Sequence, residues 1–295
     1  MYELKRTTGD VGGDVLSLTA EHDAIARPRK GEVRWTDFDR GAYAPRVLDE
    51  AARLWEERAI QEMHSLALFT ELTSHLHRLG APLDWSGAFA RMIADEVRHT
   101  DLCLRMCDAL GRPAAPKIDP KHVTLLAPSS PRAHVRRMIV AAFCIGETVS
   151  GHMFRRALKA ATVPLARDVV TAIVIDETFH GELGWELGAL LMRSDGEAFL
   201  KERDTLAADL PHLFRHYAKL CGARRGPAWA RAAASVDEGP NFGTMTEAGY
   251  AATFFDAMET DVVPGLGSIG LPEAAHAYEA LVRELDAASD SPTSG

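Results

Sequence analysis

From about residue 46 the chain reads as successive stretches in which apolar residues recur every three or four positions, punctuated by glycine and proline. That period is the mark of amphipathic helices. It predicts a first helix over 46–79, stopped by Gly80 and Pro82, and a second over 84–110, stopped by Gly111 and Pro113. Residues 112–130 hold four prolines and two serines and form a long connection. A third helix is predicted over 131–160. Pro164 opens a fourth that reaches about Arg193, since proline is tolerated in a first helical turn. A fifth covers about 196–220, after which glycines break the chain into shorter helices near 245–260 and 273–287. Residues 1–45 are turn-rich and carry Trp35, Phe38 and Tyr43, as suits an arm that packs on something else. The tail from Ser289 is expected to fray. Period-two alternation is almost absent. The expected fold class is therefore all-α: an N-terminal arm (1–45), a helical bundle (46–222) and a C-terminal helical extension packed on it (223–295).

One short pattern occurs twice on these helices: Asp95-Glu96-Val97-Arg98-His99 and Asp176-Glu177-Thr178-Phe179-His180. Each contains Glu-x-x-His, and residues three apart share a helix face. Two such pairs, with one Glu from each of two further helices, make a dinuclear metal site inside a four-helix bundle. Helices joined by a short turn run antiparallel, so partners at one height lie about equally far from the turn. Glu96 lies 16 residues after Gly80 and Glu62 lies 18 before it, while Glu177 and Glu147 each lie 15 residues from Thr162. At ~1.5 Å per residue, both hairpins set their carboxylates at matching depth, about 22–27 Å from the turn.

Glu62 is selected among its neighbours by the stripe it occupies. At 100° per residue, Trp55, Ala59, Leu66, Phe69 and Leu76 fall within about 60° of it, alongside Arg58, Ser65 and Thr73. Glu71 lies on the opposite side, and Glu56 and Glu57 are about 120° or more away. His64 lies about 160° away and reads as a surface residue. The other candidate ligands also have mainly apolar flanks: Met92, Cys103 and Leu110 beside Glu96 and His99; Val140, Cys144, Gly151 and Phe154 beside Glu147; Val170, Ile173, Gly184, Leu187 and Leu191 beside Glu177 and His180. Four ionised carboxylates on inward faces would be prohibitively costly if left unpaired. Two divalent cations would cancel their charge. Oxygen-rich ligation with one imidazole per metal suits iron, with manganese or a mixed Fe/Mn pair as the substitutes. Gly151, one turn after Glu147, has two equal readings: it leaves room for O2 or substrate beside the metals, or it allows close helix contact.

The ordered set Glu62, Glu96 and His99, Glu147, Glu177 and His180 resembles the helix-by-helix ligand pattern of the ferritin-like diiron-carboxylate superfamily, over roughly residues 46–195. The run Asp95-Glu96-Val97-Arg98-His99 is similar to the Asp-Glu-x-Arg-His motif of bacterial multicomponent monooxygenase hydroxylases. That likeness implies a ferritin-like four-helix bundle, two Fe per chain, and a role for Asp95 and Asp176 in orienting the imidazoles. It implies a diiron oxygenase or oxidase that uses O2 on a small organic substrate, with hydroxylation, N-oxygenation, desaturation and C–C cleavage all open. Departures narrow the field. The rubredoxin-like four-cysteine module of rubrerythrins is absent. Cys103 stands where ribonucleotide reductase small subunits carry a radical tyrosine, and Ile173 stands where arylamine N-oxygenases carry a third histidine. The alternative within the same class is a ferroxidase or iron-binding stress protein, and a third reading is a bundle that serves only as a binding module.

Composition bounds the partners. The 295 residues carry a formal charge of −9, with 46% apolar and 25% charged positions. No long basic stretch suggests a nucleic-acid groove. The longest apolar run, Met138 to Ile145, has eight residues, far short of the ~20 a membrane span needs. Residues 1–12 show no signal-peptide core, and the four cysteines form no Cys-x-x-Cys pair; a cytoplasmic protein with reduced thiols is expected. Flavin, nicotinamide and iron–sulfur motifs are absent. Gly265-Leu-Gly-Ser-Ile-Gly270 follows no strand and is not read as a phosphate loop. Electrons must then come from an external reductase or ferredoxin. A homodimer is compatible with such a bundle.

Overall fold

The computed structural model describes residues 1–4, 19–119, 130–193, 197–226, 229–230 and 239–290. Most of the 112–130 connection and the end of the tail lie outside the described residues. The fold is all-α, with one two-residue ladder as the strand content among the described residues. In chain order the elements are β1 (Tyr2–Glu3), α1 (Thr19–Ala26), α2 (Pro45–Arg78), α3 (Leu83–Ala109), β2 (Lys117–Ile118), α4 (Pro131–Met138), a π-helical segment (Ile139–Glu147), α5 (Thr148–Ala160), α6 (Pro164–Leu191), α7 (Glu197–Leu220), α8 (Glu247–Ala257), a second π segment (Met258–Val262), α9 (Val263–Ser268) and α10 (Glu273–Asp290). The chain divides into two compact units. The first comprises Met1–Pro131, Ala161–Asp176 and Phe242–Thr244; the second comprises Arg132–Ala160, Glu177–Asn241 and Met245–Gly295.

In the first unit, α2 and α3 pack together along their length. Both end at the glycines that the sequence marks as stops. Gly80 (φ +75°) and Gly111 (φ +87°) take the left-handed conformation. Ala81 then donates to the Leu76 carbonyl at 3.0 Å and Arg112 to that of Cys107 at 3.0 Å. This reversal satisfies carbonyls that a helix end would otherwise leave bare. Trp55, Phe69, Leu72, Phe89, Met92, Leu102 and Met106 are wholly or almost wholly buried, with Val169, Val170 and Ile173 of α6. Each such side chain contributes about 1.5–3 kcal/mol by leaving water. The Trp55 indole donates to the Phe242 carbonyl at 2.9 Å. Phe242 in turn meets Phe38 and Tyr43 edge-on, at 6.2 and 5.1 Å between ring centroids. Two elements in the terminal arm escape the sequence pattern. The helix α1 packs on α3, where His22 meets Asp101 at 3.2 Å. Tyr2 and Glu3 pair with Ile118 and Lys117, a ladder too short for alternation to register.

In the second unit the run from α4 through α5 is helical throughout, as its pattern predicts, but residues 139–147 are wound as a π-helix. The assumption of 100° per residue therefore fails there. This segment lies close against the second half of α6. A Cβ on Gly184 would come within 2.6 Å of the Phe143 Cβ, and one on Gly188 within 2.8 Å of the Cys144 sulfur. Small residues one turn apart on α6 let two backbones approach. The α7 and α10 helices pack together, pinned by Arg203 to Glu273 at 2.6 Å and Arg215 to Glu284 at 2.5 Å. Residue numbers rise together in these pairs, so the two helices run parallel. The Gly265–Ser268 stretch is helical, within α9. No helix among the described residues is long and apolar enough to cross a membrane.

Gly184→Ala should lower stability by about 1–3 kcal/mol, because the added methyl group has no space. Gly87→Ala, on an exposed part of α3 where a Cβ meets nothing within 4 Å, should raise it by about 0.4–1 kcal/mol. Thermal unfolding followed by circular dichroism measures both; equal behaviour of the two variants would contradict the close approach.

Candidate metal centre

The first unit gathers Glu62 from α2 with Glu96 and His99 from α3. Their ligand atoms lie within 4.8 Å of one another. His99 Nδ1 stands 3.4 Å from Glu62 Oε2 and 3.7 Å from Glu96 Oε1. All three residues are buried, Glu62 at 6% exposure, Glu96 at 1% and His99 at 0%. Burial pushes the Glu62 carboxyl up to about 7; His99 opposes that rise and the Glu96 charge adds to it. For His99, burial alone would favour the neutral ring, but Asp176, Glu62 and Glu96 together hold its proton well above the ordinary histidine range. Protons thus balance charge in a set that a cation would also suit, and metal binding would release them.

Behind this set lies a buried ionic network. Asp176 Oδ2 faces His99 Nε2 at 3.5 Å. The Arg98 guanidinium donates to Asp95 at 2.7 Å and to Asp176 at 2.8 Å. From the N-terminal arm, Arg29 donates to Asp95 at 2.7 Å and stands 3.3 Å from Asp176. Asp95 and Asp176 are 0% and 1% exposed. Asp176 therefore sits where it can orient an imidazole, while Asp95 is gripped by arginines. Arg29 lies in a turn-rich stretch with no local signal of this role. Arg98 was visible inside the motif, but its tie to Asp176 was not.

The second unit repeats the arrangement. Glu147, the last residue of the π segment, meets Glu177 and His180 of α6, with ligand atoms again within 4.8 Å of one another. His180 Nδ1 is 3.3 Å from Glu147 Oε2 and 3.9 Å from Glu177 Oε1. Exposure is 7% for Glu147, 5% for Glu177 and 0% for His180. In both sets the Nδ1 atom faces both carboxylates. A first-row metal with bonds of about 2.0–2.2 Å has ligand atoms roughly 3.0–3.4 Å apart. The observed 3.3–3.9 Å separations are slightly wider, and small side-chain shifts would close them. Two carboxylates and one neutral imidazole, walled by apolar residues, fit a divalent ion at each set.

Other candidates lie apart from these sets. Glu57 pairs with Arg53 at 2.6 Å on the surface, Glu56 faces Arg112 at 3.8 Å, and Glu71 faces His75 at 3.7 Å. His64 is half-buried, not a surface residue. Cys103 is buried, and burial pushes its thiol well up, so it stays protonated. Gly151 is buried on α5, where a Cβ would come within 3.2 Å of the Arg155 guanidinium. His152 stands between Asp256 and Asp261, at 3.3 and 2.5 Å. A groove of about 830 Å³ lies in the second unit, lined by Trp185, Leu190, Arg193, Asp261, Pro264 and Ile269. The edge of the Trp185 ring lies close against Gly265, and its indole donates to the hydroxyl of Thr148, the residue after Glu147, at 3.1 Å.

Arg98→Met would leave two buried aspartates short of one cation, and should cost about 3–5 kcal/mol in urea unfolding. Arg34→Met, which removes an exposed partner of Asp168, should leave the urea midpoint almost unchanged. A small loss for Arg98→Met would show that the network carries little of the fold. No family model matches this chain, and comparison with curated proteins and with solved structures likewise returns no match.

Proposed function

We propose that this chain is a ferritin-like, non-haem dinuclear iron oxygenase or oxidase acting on a small organic substrate. One observation carries the reading: a buried Glu plus Glu-x-x-His set occurs in each unit, with ligand atoms within 4.8 Å of one another and Nδ1 facing both carboxylates. Glu62, Glu96 and His99 would hold one ion, and Glu147, Glu177 and His180 the other. Iron held there would supply the O2 chemistry, with electrons from an external reductase or ferredoxin.

The chain's own residues do the rest. The four carboxylates would offset the charge of bound metal. Asp176, fixed by Arg98 and Arg29, fixes the His99 ring. Apolar neighbours such as Met92, Cys103, Cys144 and Ile173, all wholly buried, keep water out. The groove beside Trp185, five residues after His180, is of a size that suits a small molecule.

The test is metal content after anaerobic loading with Fe(II) and desalting. The unaltered chain should hold about two Fe. His99→Ala and Glu177→Ala should each hold less, while Glu57→Ala should match the unaltered chain. Equal loss in Glu57→Ala would overturn the assignment of Glu62, and no bound iron would overturn the metal reading. A large assembly with iron far above two per chain would make it a ferroxidase or store instead.

A further inference from the structure

Glu147 is the one candidate ligand that closes a π-helical segment. A π-helix is rare and is frequently found at functional sites, and this one has a support outside its own helix. The support here is Tyr217 of α7. Its hydroxyl donates to the Ala141 carbonyl, inside the segment, at 2.7 Å. The space it occupies is the space a side chain at position 146 would need. A Cβ on Gly146 would lie 2.7 Å from the Tyr217 oxygen and 3.4 Å from the Ala141 oxygen. Burial pushes the Tyr217 phenol well above its ordinary range, so it remains a donor. Arg137 to Asp209 at 2.7 Å, the contact of Arg136 with Glu202, and Arg136 to the Leu191 carbonyl at 3.3 Å fasten the start of this helical run nearby.

We propose that Tyr217 is a positioning residue: its hydroxyl, seated against Gly146 and tied to the Ala141 carbonyl, locks the π segment in the register that presents Glu147 to Glu177 and His180. The proposal rests on the metal reading above. A shift of one residue in helical register turns a side chain to another face of the helix, so loss of the lock would turn Glu147 away from its partners. Gly146 and Tyr217 are two halves of one device. One supplies the hydroxyl and the other supplies its room.

The experiment uses the full chain with Tyr217→Phe, Gly146→Ala and the double variant. Co(II) serves as the probe, read by its visible absorption, and hydrogen exchange of peptides covering 139–147 is read on the metal-free protein. Tyr217→Phe should keep its helical circular dichroism, exchange faster in 139–147, weaken Co(II) binding about 10–100-fold and alter the absorption band. Gly146→Ala should do the same by displacing the hydroxyl. The double variant should be no worse than either single one, because phenylalanine vacates the space that the new methyl group needs. Additive losses, or Co(II) binding in Tyr217→Phe equal to that of the unaltered chain, would overturn the proposal. Absence of Co(II) binding in the unaltered chain would instead overturn the metal reading. Unchanged exchange at 139–147 in Tyr217→Phe would then still overturn the lock.

Discussion

Glu62, Glu96, Glu147 and Glu177 are all at most 7% exposed, and a carboxylate in such surroundings cannot stay ionised unless positive charge is placed beside it. Much of the structure follows from that constraint. In the first unit the charge is balanced in two layers. His99, protonated more readily than an ordinary histidine, sits among Glu62, Glu96 and Asp176. Arg98 and Arg29 then sit between Asp95 and Asp176. Neither layer is a surface ion pair of marginal worth. Asp95, His99 and Asp176 are almost entirely out of water, so removing one partner strands another.

In the second unit, close packing is what brings the carboxylates together. Gly184 and Gly188 have no side chain to hold α6 away from Phe143 and Cys144. The close approach sets Glu147 beside the Glu177–His180 pair. An α-helical 139–147 would present different residues to α6. The π winding and its phenolic clamp are thus part of how the second set is assembled, as Arg98 and Arg29 are part of the first.

Much of this was legible in the sequence. Helix limits fell close to glycines and prolines because those residues act locally, at Gly80, Gly111 and Pro164. The stripe around Glu62 was legible because a regular α-helix converts spacing into direction. Where the backbone left that geometry, at residues 139–147, spacing could not reveal it. The π segment takes a hydrogen bond from Tyr217, 76 residues beyond Ala141. Likewise α1 and the β1–β2 pair are too short to carry a period. Arg29 sits in a turn-rich arm, where nothing local distinguishes an arginine that reaches buried carboxylates from one that faces solvent.

Arg29 also bears on the order in which the first unit can be completed. It is made early, before α2, whereas Asp176 is made only after α5 and half of α6. Until then the arm has no complete seat, because one of the two carboxylates that it bridges does not yet exist. Closing a contact over so long a stretch of chain is entropically slow. The arm therefore acts as a tethered counter-ion, held in reserve until the helix that bears both Asp176 and Glu177 has been delivered.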